Sequence, residues 1–158
     1  MRLAEQKKIV PVMTYADLSG TVYSDSIDMK GYHRATFLFI LHALGGADST
    51  LTVYSGATDA ACTSALSFHY AFGGAAVGSA SCDVLAADTE AATLALTYGT
   101  YSGFMLVVDI DATKMDVANA ENWLTCKFTT QGSVTGRVSG FAILEPRYTG
   151  NLSATALT

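Results

Sequence analysis

The chain has 158 residues, a length that suits one domain able to bury roughly 70% of its unfolded surface. Only 15% of the residues are charged, against roughly 25% in an average globular protein, so the surface is either rich in small polar residues or covered by other subunits. The net charge is −5, and the stretch between Arg34 and Lys114 contains seven acidic residues and no Lys or Arg. Such a stretch repels phosphate groups, which disfavours nucleic-acid binding.

The cysteines and the N-terminus bear on the cellular compartment. Cys62, Cys82 and Cys126 are odd in number and form no C-x-x-C pair, which favours reduced thiols over a disulfide framework or a zinc site. The first residues contain no apolar segment of the kind found in signal peptides. The longest apolar run, residues 35–44, is about half the length needed to cross a bilayer. We expect synthesis in the cytoplasm and no membrane partner.

The first twenty residues differ from the rest of the chain. Basic residues precede apolar ones, and Pro11 disfavours a helix because it lacks a backbone N–H. We predict an extended N-terminal arm over residues 1–20. Burying four of its apolar side chains would contribute roughly 6–12 kcal/mol, less than the cost of ordering its backbone at about 1–2 kcal/mol per residue. The arm is therefore expected to order only on a partner, through Arg2, Lys7, Lys8, Ile9, Val10, Val12, Met13, Tyr15 and Leu18.

Residues 21–148 show the pattern of an all-β domain. Residues 66–72 alternate between apolar and small or polar side chains, and residues 34–42 are apolar on both faces. With the later runs this gives about eight short strands separated by Gly-rich turns, which is typical of an antiparallel β-sandwich or jelly roll. Residues 57–65 and 86–92 could each form one or two helical turns, and residues 149–158 are predicted to be an extended C-terminal tail. The expected core comprises Phe37, Phe39, Leu41, Leu66, Phe68, Tyr70, Phe72, Met105, Val107, Leu124, Phe128, Phe141 and Ile143.

The sequence contains no motif that carries catalytic chemistry. The Gly-rich segment 73–79 lacks the lysine of a P-loop. His33, His42 and His69 are not at metal-ligand spacing, and Asp109 and Asp111 share one face of a strand end without a third acid nearby in sequence. We therefore predict that the chain is not an enzyme and has no catalytic, metal-binding or cofactor-binding residues.

Three segments resemble a known group of proteins. They are Ser26–Tyr32, which leads into the apolar run, the sequence VVDID at 107–111, and GFAILEPRY at 140–148. Over roughly residues 24–148 the chain resembles small structural proteins of tailed bacteriophages, which usually accompany the major capsid protein. The resemblance implies a capsid decoration, or cement, protein. Such a protein is a β-sandwich or jelly roll on the outer surface of the virion, often a homotrimer, that binds the major capsid protein and stabilises the shell.

Two alternatives stay open. One is a structural component of the tail or of the head–tail connector. The other is a carbohydrate-binding β-sandwich, which usually exposes aromatic side chains. Trp123, the sole tryptophan, lies within an alternating strand and is expected to pack in the core.

Overall fold

A computed structural model describes residues 3–130, 132–152 and 154–157. Within these residues it contains one short helix, α1 (Tyr98–Tyr101), and several single 3-10 turns. The strands, in chain order, are β1 (Lys8–Asp17), β2 (Val22–Tyr23), β3 (Ile27–Asp28), β4 (Tyr32–Gly45), β5 (Ser49–Gly56), β6 (Ser64–Leu66), β7 (Phe68–Ala76), β8 (Thr89–Ala91), β9 (Leu94–Leu96), β10 (Phe104–Asp111), β11 (Trp123–Thr130) and β12 (Thr135–Pro146).

The strands form two antiparallel sheets, which confirms the predicted all-β fold. Sheet A has the strand order β1-β12-β4-β10-β7-β8, and sheet B has the order β2-β11-β5-β6, with β3 beside β11 and β9 beside β5. Within the described ranges no helix is long and apolar enough to cross a membrane. Segments 57–65 and 86–92, whose sequences allow one or two helical turns, contain no helix.

The two sheets enclose one hydrophobic core. The long strands β4 and β11 supply its centre: Phe39 meets Phe128 across the interface, with ring centroids 5.1 Å apart and an edge-on angle of 86°. Both side chains are fully buried. Gly140 on β12 leaves the space that Phe39 fills, because a Cβ at that position would lie 2.4 Å from the Phe39 Cδ1 atom. The core depends on this close approach of a ring to a neighbouring backbone.

The predicted core is confirmed on most strands and wrong in two. Four predicted members, on β10 and β12, lie on the opposite face: Phe141 is 42% exposed, and Met105, Val107 and Ile143 are half-buried. Tyr70 on β7 is half-buried and packs against the core. On β10 the core side chains are Leu106, Val108 and Ile110, and on β12 they are Val138, Ala142 and Leu144. The alternation of a strand fixes two faces, but not which of two apolar faces points inward. Trp123 is likewise half-buried rather than in the core.

Residues 3–20, the described part of the predicted arm, do not form a separate arm, which corrects the sequence prediction. Strand β1 pairs with β12 from Lys8–Leu144 to Asp17–Arg137. Val10, Val12, Met13 and Leu18 are at most 8% exposed and belong to the common core. Apolar burial alone does not offset the backbone entropy lost when these residues become ordered. Strand β1 also gains backbone hydrogen bonds to an existing sheet edge, and these add to its stability. The predicted boundary at residue 20 therefore falls inside the domain.

The C-terminal segment 149–158 also packs on the domain over its described residues. Residues Thr149–Leu152 form a 3-10 turn. The Lys8 Nζ atom donates to the Leu152 carbonyl at 3.1 Å, and the Asp28 N–H donates to the Ala156 carbonyl at 2.9 Å. Ala156 is buried. The tail predicted as an extension is held against β1 and the β3 region.

Candidate functional site

An apolar strip crosses the outer face of sheet A, the face directed away from the core. The pairing of neighbouring strands places Pro11 beside Phe141, Phe141 beside Leu38, and Leu38 beside Val107. The paired residues Ile9 and Ile143 lie on one side of this row, and the paired residues Ile40 and Met105 lie on the other. We name the outer strip by its eight residues: Ile9, Pro11, Leu38, Ile40, Met105, Val107, Phe141 and Ile143.

The outer strip is accessible to solvent. Ile9 is 45% and Phe141 42% exposed, Pro11 is exposed, and the remaining members are half-buried. Single exposed apolar residues are ordinary on a protein surface, but contiguous apolar patches mark sites of interaction. Four adjacent hydrogen-bonded strands, β1, β12, β4 and β10, contribute to this patch, so the pairing of the sheet fixes the relative positions of its side chains.

Charged groups border the strip at one end, where two cations lie within ion-pair distance of three carboxylates. Lys7 donates to Glu145 at 2.7 Å, and Arg34 lies 3.8 Å from Asp109 and 3.7 Å from Asp111. The Lys7 hydrogen bond lowers the pKa of Glu145, and hydrogen bonds from Thr113 lower the pKa of Asp111. These carboxylates stay ionised at neutral pH. The border is therefore polar and paired, a suitable rim for an apolar contact.

A pocket lies at the opposite end of sheet A. We name it the corner pocket; its volume is about 390 Å³, and it is lined by Tyr15, Asp17, Ser19, His42, Ala43, Val134, Thr135, Gly136 and Arg137. The Arg137 guanidinium lies 5.0 Å from the centre of the Tyr15 ring and 3.4 Å from the Asp17 carboxylate. The Tyr15 ring meets the His42 ring edge-on, with centroids 5.1 Å apart.

The outer face of sheet B has a different composition. Its central positions are Thr50, Thr52 and Tyr54 on β5, which pair with Thr129, Lys127 and Thr125 on β11. Thr125 is fully buried there, and its hydroxyl shares a 2.7 Å hydrogen bond with the Ser26 hydroxyl. The Lys127 Nζ atom lies 5.7 Å from the ring centres of both Tyr23 and Tyr54. Hydroxyl groups and one cation held between aromatic rings dominate this face.

The nine residues predicted to bind a partner differ in burial and in the contacts they make. Val10, Val12, Met13 and Leu18 are buried, Lys7 bonds to Glu145, and Lys8 bonds to the Leu152 carbonyl. Arg2 lies outside the described residues. Ile9 and Tyr15 are 45% and 56% exposed and lie in the outer strip and the corner pocket, respectively. Sequence reasoning missed both sites, although the apolar residues on both faces of β4 were a signal for the first.

Other polar side chains of the described residues form local contacts. His42 and Ser139 share a 2.7 Å hydrogen bond, but among the described residues no carboxylate bonds to that imidazole. Glu121 is buried and accepts hydrogen bonds from Ser55 at 2.6 Å and Ser64 at 3.1 Å, which ties β5 to β6. The three cysteines are free thiols, and burial raises the pKa of Cys126. No group of three metal-ligating side chains occurs in the described ranges.

The similarities of this chain to known proteins lie in its fold. No protein-family model and no curated protein sequence matches the chain. The SPBc2 prophage-derived protein YomS is similar in structure, with a TM-score of 0.43 and 10% identity over 87% of this chain and 93% of that one. The coat protein of Tobacco streak virus gives a TM-score of 0.36 and 10% identity over 94% and 92% of the two chains. A segment of the Listeria monocytogenes protein lmo2446 gives 0.31 and 12% identity, covering 87% of this chain and 9% of that protein.

Proposed function

We propose that this chain is a structural protein of a tailed-phage particle and binds the major capsid protein through the outer strip, as a decoration or cement protein. The carrying observation is the registered apolar row Pro11, Phe141, Leu38 and Val107 on a solvent-facing sheet. Structural similarity at these TM-scores assigns no function by itself. The proposal depends on the chain's own surface and on the sequence resemblance to phage structural proteins.

The outer strip is not needed to form the sandwich. Sheet B packs against the same core with threonines on its outer face, so a polar outer face is compatible with this fold. An apolar outer face on sheet A then has an energetic benefit only when another surface covers it. The capsid protein is the favoured occupant because the rim charges are engaged in ion pairs with one another and the chain carries few charges. Such a surface suits an apolar protein surface with a polar border.

We extend the proposal to the other partners of the chain and to its lack of catalytic activity. The chain binds protein and catalyses no reaction, and it binds neither nucleic acid nor membranes. Copies form a homotrimer at a three-fold position of the shell, because a subunit matched to a lattice axis shares the symmetry of that axis. The site on the particle is the outer capsid surface.

Co-sedimentation with capsid shells tests the proposed binding surface. The double variant Ile9→Ser, Phe141→Ser removes two exposed apolar side chains and should keep the fold. Truncating one central anchor of an interface costs about 2 kcal/mol or more. Loss of a single anchor in the double variant would therefore weaken binding to expanded shells by at least about 30-fold. Val117→Ser is the matched control, since Val117 is 65% exposed and lies in a separate 3-10 turn.

Three results would contradict the proposal. One is wild-type shell binding by a folded double variant. The second is wild-type heat resistance in particles that lack the chain. The third is localisation of the chain to purified tails rather than heads, which would favour the tail or connector alternative. A symmetric reconstruction of decorated heads tests the trimer separately, because monomers at sites without rotational symmetry would exclude it.

A further inference from the structure

Three adjacent strands of sheet A are irregular at the same level. Tyr15 on β1 has φ of +46°, Ala43 on β4 has φ of +45°, and Gly136 on β12 has φ of +136°. The pairing registers shift at two of these points, between Met13 and Ala16 on β1 and between Thr135 and Arg137 on β12. β-Bulges next to one another re-aim side chains, and they occur preferentially beside binding sites.

The irregular backbone builds the corner pocket. A Cβ at Gly136 would lie 3.0 Å from the Leu44 Cα atom, so the adjacent strands approach closely there. Tyr15 and Ala43 have side chains in a conformation that favours glycine. Tyr15 is nevertheless a large aromatic residue, 56% exposed, whose ring lies between Arg137 and His42. Strain of this kind persists where the surrounding structure enforces it, and it concentrates at functional sites.

The side chains of the pocket define the chemistry of its ligand. Arg137 donates and Asp17 accepts, and the two groups lie 3.4 Å apart at the pocket wall. Their charges cancel, which disfavours a phosphate or carboxylate ligand. A vicinal diol satisfies both groups at once, because each hydroxyl donates one hydrogen bond and accepts others. Ser19, His42 and Thr135 add further polar groups around the ring.

We propose that the corner pocket binds a neutral saccharide, with one face of a sugar ring against Tyr15 and its hydroxyls shared between Asp17 and Arg137. The pocket volume of about 390 Å³ accommodates one or two sugar units. This inference is independent of capsid binding through the outer strip. A particle whose surface carries such pockets would adhere to neutral polysaccharide.

Titration of the isotope-labelled protein with neutral glucan, galactan and N-acetylhexosamine oligosaccharides tests the site by NMR. At least one of them should shift the amide signals of Tyr15, His42 and Arg137 at about 1 mM ligand. Tyr15→Gly should abolish these shifts while its melting temperature stays within about 2 °C of the parent, because relief of strain offsets the added chain entropy. Arg137→Gln should weaken binding about tenfold or more. Ala120→Gly, at φ of +58° away from the pocket, is the control and should bind normally.

Several results would contradict saccharide binding in the corner pocket. The proposal is overturned if no neutral oligosaccharide shifts these signals at about 10 mM, or if Tyr15→Gly binds as well as the parent. Preference for sialylated or glucuronate sugars over neutral ones would also overturn it. Loss of shell binding in Tyr15→Gly without any saccharide binding would assign the pocket to the capsid interface instead. Phe141→Ser should bind saccharide normally, which separates this site from the outer strip.

Discussion

The outer faces of the two sheets differ although both sheets enclose the same core. On sheet A the outward positions of β4 are Leu38 and Ile40, and on sheet B the outward positions of β5 are Thr50 and Thr52. The inward positions are apolar in both strands, as with Phe39 and Leu51. Folding therefore requires apolar residues on one face of each strand only. The second apolar face of sheet A reflects a different requirement, which we assign to partner binding.

Deletion of residues 1–18 gives the largest expected effect. The deletion removes β1 and with it four buried side chains, each worth about 1.5–3 kcal/mol, a sum comparable to the whole stability of a domain at about 5–15 kcal/mol. The truncated protein should show no cooperative melting by circular dichroism. An unchanged melting profile would mean that β1 is a dispensable arm and that the inner face of sheet A does not depend on it.

Phe39→Ala and Phe141→Ala compare the two faces of sheet A directly. Phe39 is fully buried and Phe141 is 42% exposed, and the two lie on neighbouring strands. Phe39→Ala should lower the free energy of unfolding by about 3–5 kcal/mol, and Phe141→Ala by less than about 1 kcal/mol. Urea denaturation measures both values. Equal losses would show that the outer strip also supports folding, and the assignment to binding would weaken.

Lys127 provides a smaller test on the outer face of sheet B. Its ammonium group lies between the rings of Tyr23 and Tyr54. Lys127→Gln should cost about 0.5–1 kcal/mol of stability through the lost cation–π contacts and should leave shell binding unchanged. Lys30→Gln, at an exposed lysine, is the comparison for the general effect of removing a charge. Reduced shell binding by Lys127→Gln would place part of the interface on sheet B.

The Lys7–Glu145 pair gives the smallest effect, and it depends on pH. Its hydrogen bond lowers the pKa of folded Glu145 below 4.5, so the associated stability is present above that value and is lost as pH falls through the folded pKa. The parent should lose slightly more stability than Lys7→Gln between about pH 5 and pH 3. The difference should be under about 1 kcal/mol, because both side chains are partly exposed and solvent screens the pair. Thermal melts at the two pH values measure it, and parallel losses would show that the pair contributes nothing.

The local sequence pattern determined the class of fold and much of the core. Alternation around Phe68 and the apolar segment around Phe39 predicted strands, and both residues are fully buried in β7 and β4. Glycine-rich turns predicted the short connections of an antiparallel sandwich. These features depend on residues close together in the chain, where side-chain period and turn chemistry act directly.

Only the tertiary structure decided which faces point inward, and where the termini lie. Val107 and Leu106 are equally apolar, and the pairing of β10 with β4 and β7 directs Leu106 into the core. Likewise, β1 becomes an edge strand because Lys8 lies beside Leu144, a partner far away in sequence. The corner pocket exists only because two such long-range pairings, β1 with β12 and β12 with β4, bring the irregular residues of three strands to one level. Local periodicity contains no information about these registers, since they depend on the summed packing and hydrogen bonding of the whole sheet.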